Sequence, residues 1–132
     1  SRGKNLVTNK LWSVGIEKPI ESTLPRKIFD IIELNNQALA TSGNYRKYRI
    51  DKETKQKYVH SINPLNGRPA RSNILSVSVK ALDCMTADAY ATALMVMPLN
   101  MGKKLINKTP DVDAFWIISK SEKFVTHSSE NW

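Results

Sequence analysis

The stretch Asp83-Cys84-Met85-Thr86-Ala87-Asp88-Ala89-Tyr90-Ala91-Thr92-Ala93-Leu94-Met95-Val96-Met97 constrains the chain more than any other. Ala, Leu and Met dominate it, and these are strong helix formers. Asp83 or Thr86 can cap its start. Pro98 ends it, because proline disfavours helical backbone in the residue before it. One polar pair stands inside, Asp88 and Thr92. Residues four apart share a helix face. A carboxylate and a hydroxyl so placed can hold a hard cation such as Mg²⁺, which takes oxygen ligands and keeps waters or phosphate oxygens. The pair also has a purely structural reading. Asp88 would favour the positive helix N-terminus, and Thr92 would bond back to a carbonyl of the preceding turn. Spacing alone leaves both open.

The rest of the chain is mostly strand-like. Apolar or β-branched alternation marks residues 11–16, 28–34, 37–42, 45–50 and 57–62 as strands. Asn35-Asn36 makes a turn, and a charged loop spans residues 51–56. These five strands suggest an antiparallel meander. Residues 63–69 are dense in Asn, Pro and Gly and form a loop. Residues 74–81 alternate strictly and form the next strand. After the central helix come a short helix at 100–107, a strand at 114–119 and a hairpin to 124–126. The expected architecture is α+β: a largely antiparallel sheet packed against one main helix plus a short second helix. At 132 residues the chain is expected to be a single domain over 1–132.

The formal charge of +8 favours anionic partners. The basic residues are scattered and no nucleic-acid-binding signature is present, so no nucleic-acid partner is expected; a solvated lysine-rich surface explains the charge. One cysteine excludes an internal disulfide and a cysteine-based zinc site. The polar Ser-Arg-Gly-Lys-Asn start has no signal-peptide pattern.

Three polar, turn-bounded places are candidates to converge: the Thr41-Ser42-Gly43-Asn44-Tyr45-Arg46 corner, the stretch from His60 to Gly67, and the Asp88/Thr92 helix face. Each has an alternative. His60 is either a hydrogen-bonded strand residue or a catalytic group. Gly43 supplies a positive φ at the corner, or lets the backbone approach a phosphate or ring. Tyr45 packs, or stacks on a planar ligand. Ser42 lacks the frame of a hydrolase elbow. Trp12 and Trp116 are expected in the core and Trp132 on the surface. Met95 and Met97 are core filler, Cys84 is a small buried hydrophobe, and His127 is solvated.

In this order and spacing, Thr41-Ser42-Gly43-Asn44-Tyr45-Arg46, His60-Ser61-Ile62-Asn63-Pro64-Leu65-Asn66-Gly67-Arg68-Pro69 and Ala87-Asp88-Ala89-Tyr90-Ala91-Thr92-Ala93-Leu94 resemble the ApbE family, the FAD:protein FMN transferases. Trp12-Ser13-Val14-Gly15-Ile16-Glu17-Lys18-Pro19 resembles that family's tryptophan-containing strand. The resemblance implies Mg²⁺-dependent transfer of FMN from FAD to a Ser or Thr of an acceptor protein, with release of AMP. It implies Asp88 and Thr92 as metal ligands. It places Thr41, Ser42, Gly43 and Tyr45 at the flavin nucleotide, His60 and Ile62 beside FAD, and His60 as the catalytic group. It also implies a bacterial cell envelope location, on the periplasmic side, with membrane contact only through a lipid anchor on the full-length protein.

Two departures stand out. The family loop usually reads His-Ile-Ile-Asp-Pro, whereas Ser61 and Asn63 stand here. Family proteins are also more than twice as long, and a Leu-Gly-Gly-Ile-Ala-Lys-Gly type motif that supplies a further metal ligand has no counterpart. The chain therefore resembles the family's C-terminal portion, and is expected to be inactive alone. The alternative is a non-catalytic flavin- or protein-binding module derived from the family.

Overall fold

A computed structural model describes residues 1–20, 25–45, 48–50, 52–53, 57–59, 61–70, 72–121 and 123–132, with 48, 49 and 57–59 described by backbone alone. In chain order the elements are β1 (Trp12–Glu17), β2 (Ile28–Leu34), β3 (Ala38–Gly43), β4 (Tyr48–Ile50), β5 (Lys57–Val59), β6 (Ile62–Asn63), β7 (Arg68–Pro69), β8 (Ile74–Ala81), α1 (Cys84–Val96), α2 (Leu99–Ile106), β9 (Asp113–Lys120) and β10 (Lys123–Ser128). The α+β expectation holds. A four-stranded antiparallel sheet in the order β10-β9-β8-β3 carries both helices.

Strict alternation makes β8 two-faced. Val77 and Val79 are fully buried beneath the helices with Ile74 and Ala81. Helix α1 presents Ala87, Ala91, Leu94 and Met95 to them. The two alanines lie one turn apart and let the helix approach the sheet closely. Burying a side chain such as Leu94 contributes about 1.5–3 kcal/mol. Ala114, Trp116 and Ile118 of β9 complete this layer, and Met97 packs at its margin. Met97 is extended, with φ −83° and ψ 147°, as the following proline requires.

The opposite sheet face is partly covered by the β1–β2 ribbon. Ile16 packs there against Phe115 and Ile117. Among the described residues the ribbon pairs with no other strand, and β3 leaves β2 to pair with β8. The antiparallel meander is thus corrected: 11–34 form a ribbon, and β4–β5 and β6–β7 are separate two-stranded pairs. Alternation defines the face that a strand buries but not its neighbour. The small side chains of β3, Ala38, Ala40 and Ser42, fit the shallow space beside α1.

Four side chains also differ from expectation. Trp12, at the free start of the ribbon, is 41% exposed rather than core. Trp132 is half-buried, stacked on Phe115 with ring centroids 5.4 Å apart. Cys84 is exposed, because the first helical position lies off the stripe facing the sheet. His127 is half-buried in β10 beside Lys103. No helix among the described residues is long and apolar enough to cross a membrane.

Candidate functional site

Cross-strand neighbours share a face of a sheet, so the register places the site residues. Ser42 opposes Val77, Val77 opposes Trp116, and Trp116 opposes His127, all on the helix-bearing face. Thr41 opposes Ser78 on the other face, where their hydroxyls bond at 2.8 Å. Adjacent candidates thus point to opposite sides. Ser42 faces α1, and its Oγ lies 3.4 Å from Thr92 Oγ1. That long contact is a weak hydrogen bond.

Asp88 and Thr92 are both exposed, on the flank of α1 away from Ala87 and Ala91. They are separated by about 6 Å of helix rise. The Asp88 carboxylate has no hydrogen bond or ion pair among the described residues. The helix-capping role falls instead to Asp83, whose Oδ1 accepts from Thr86 N at 2.8 Å while its Oδ2 accepts from Thr86 Oγ1 at 2.8 Å. Asp83 is thus the side-chain cap of α1, one of the two candidates for that position. Hydrogen bonds from Thr86, first from its backbone and then from its side chain, hold the Asp83 carboxyl below its ordinary range.

The corner after β3 is tied down on two sides. Asn44 is 6% exposed, donates its backbone N–H to Leu75 O at 2.9 Å, and accepts from Ser61 Oγ at 3.0 Å through Oδ1. Ser61, one of the two departures from the family loop, thus fastens the 61–69 segment to the corner. Neither Asn44 nor Ser61 is singled out by its spacing. Asn63 keeps the loop turned, with Oδ1 accepting from Leu65 N at 2.9 Å and its carbonyl from Gly67 N at 2.9 Å.

Gly43 does not have the positive φ expected of it; among the described glycines only Gly3 and Gly67 do. Its role is space. A Cβ there would lie 2.6 Å from Tyr45 Cε1 and 3.4 Å from the Leu75 carbonyl. The half-buried Tyr45 ring therefore folds over bare backbone. Ile62 is 51% exposed in β6, opposite Pro69. His60 lies outside the described residues.

The corner, the loop and the helix face do meet, through Ser61–Asn44 and Ser42–Thr92. Asp88, Thr92 and Ser42 offer one carboxylate and two hydroxyls on an accessible surface. That set suits a hard cation that retains waters or phosphate oxygens. Among the described residues no three His, Cys, Asp or Glu side chains cluster in a way that would hold a metal. Among the described residues no set of nitrogen or sulfur ligands for a softer metal is present.

Known proteins resemble this chain over nearly its whole length. The FAD:protein FMN transferase of Vibrio cholerae is 36% identical over 121 residues, covering 92% of this chain and 35% of that protein. That of Haemophilus influenzae is 35% identical over 129 residues, covering 98% of this chain and 36% of its own length. Among solved structures, the flavin transferase ApbE of Vibrio cholerae superposes with a TM-score of 0.74 at 33% identity, covering 97% of this chain and 38% of that one. The ApbE protein of Thermotoga maritima gives 0.76 at 30% identity, covering 98% of this chain and 39% of that one. The chain spans little more than a third of the relatives it matches. The ApbE family model matches residues 2–116, and the chain belongs to the ApbE family.

Proposed function

We propose that this chain forms part of a flavin transferase that moves FMN from FAD to a Ser or Thr hydroxyl of an acceptor protein. The observation that carries the reading is the contact of Ser42 with Thr92, one helical turn from the unpartnered Asp88 and beside a corner anchored by Ser61. In the reaction the acceptor hydroxyl oxygen forms a bond to the FMN phosphorus. The bond from that phosphorus to the bridging oxygen breaks, and the bridging oxygen leaves on AMP. The hydroxyl proton balances the charge that leaves with it.

Phosphoryl transfer depends mostly on positioning and charge neutralisation. Asp88 and Thr92 would hold Mg²⁺, with Ser42 beside them. Bound there, the ion would neutralise pyrophosphate charge. Tyr45, whose ring lies over Gly43, would stack on the nucleotide. Ile62 would offer an apolar contact to FAD. The cell-envelope location and lipid anchor belong to the same reading and to the full-length protein.

Titration of the chain with FAD, with and without Mg²⁺, tests this through flavin fluorescence. Binding should need Mg²⁺ and weaken by an order of magnitude or more in Asp88→Ala, as for loss of a direct metal ligand. Binding indifferent to both Mg²⁺ and Asp88→Ala would remove the metal role. Mass spectrometry of an acceptor protein incubated with the full-length protein then separates the two readings of the family resemblance. An FMN adduct identifies a complete transferase site, and binding without an adduct identifies a flavin-binding module.

A further inference from the structure

Two open grooves are formed by described residues, one past the end of α2 and one at the end of α1. One, of about 580 Å³, includes Gln37, Lys108, Asp111, Asp113 and Glu130 and is acidic on balance. The other, of about 610 Å³, lies between the 63–73 segment and the end of α1. Its polar wall includes Asn63, Asn66, Arg68 and Asn73, and its apolar floor includes Val96 and Leu99. Among the described residues Arg68 is its one charged lining residue and has no carboxylate partner.

The second groove continues the candidate site. Asp88, Thr92 and Val96 follow one another at four-residue spacing along one helix stripe, and Val96 lines the groove. Its mouth is therefore about one turn, or 6 Å of rise, beyond Thr92. The amides of its wall are half committed. Asn63 Oδ1 and Asn66 Oδ1 each accept a backbone N–H, at 2.9 and 3.0 Å, which leaves their Nδ2 donors open. Asn73 Nδ2 donates to Ser119 O at 3.1 Å, which leaves its Oδ1 acceptor open. Paired donors and acceptors above an apolar floor suit a polypeptide main chain. Among the described residues no aromatic ring lines the groove.

We infer that this groove receives the acceptor polypeptide: an extended segment whose carboxylate meets Arg68 while its Ser or Thr hydroxyl reaches the Asp88/Thr92 face. The inference rests on the proposed transfer of FMN to a protein hydroxyl, and it assigns a place to the second substrate.

The test titrates the isotopically labelled chain with a short synthetic peptide bearing one Asp and one Thr, without FAD or Mg²⁺. Amide resonances of Asn63, Asn66, Gly67 and Asn73 should shift. Arg68→Glu should weaken the peptide by roughly fivefold, the size expected for one exposed ion pair. Arg68→Gln should weaken it less, and FAD binding should be unchanged in both. Replacing the peptide's Asp by Lys should weaken binding by a similar factor. Peptide shifts elsewhere, or wild-type affinity in Arg68→Glu, would overturn the inference. So would occupation of the groove by FAD in place of peptide. Failure of FAD to bind would sink the transferase reading separately, since the peptide titration does not depend on it.

Discussion

Gly102→Ala sets two effects against each other at the junction of the helices. Gly102 is buried inside α2. Alanine is favoured over glycine in a helix interior by about 1 kcal/mol. The new Cβ, however, would lie 2.9 Å from Leu94 Cδ2 and 3.5 Å from Trp116 Cζ2. Leu94 is 0% and Trp116 1% exposed, so neither can swing into solvent. Overpacking of this kind costs about 1–3 kcal/mol. The clash should win, with a net loss near 1 kcal/mol and a fall in Tm of about 3–5 °C for a chain of this size. Calorimetric melting measures it. A double-mutant cycle with Leu94→Ala isolates the cause: removing the leucine methyls should make Gly102→Ala neutral or stabilising in that background. A single Gly102→Ala variant that melts several degrees higher would refute the reasoning, because helix preference would then outweigh the close contact.

Two pH effects follow from described contacts. Asp83 titrates below its ordinary value, so its capping contribution is full above the unfolded carboxyl pKa near 3.9 and is lost as pH falls through the lower folded value. Denaturant melts should show Asp83→Ala less stable than wild type at about pH 7, with the difference shrinking toward about pH 2. Burial first, then Lys103 and Lys120, keeps the His127 imidazole below its ordinary value. The unfolded chain therefore takes up that proton first, and stability should fall as pH drops through about 6.5 toward the folded value; His127→Gln should flatten that limb.

Local chemistry was legible where it was self-contained. Strict alternation between turn formers predicts 74–81, the span of β8. The Ala, Leu and Met run before Pro98 predicts α1, and four-residue spacing puts Asp88 and Thr92 on one face. Long-range facts were not legible. Ser42 and Thr92 meet across 50 residues of sequence, and nothing in the alternation of β3 names β8 as its partner. Gly43 shows the same limit. Its lack of a side chain was visible, but the reason is the Tyr45 ring, which only the folded corner supplies.

Helix α1 divides its labour by angle. Ala87, Ala91, Leu94 and Met95 hold the sheet, while Asp88 and Thr92 stand in solvent on another flank. Changes to the solvent flank leave the buried flank intact, so surface oxygens and architecture can be edited independently along a single turn. A variant that lost both oxygens would still melt as a cooperative unit, and thermal stability alone would give no sign of the loss.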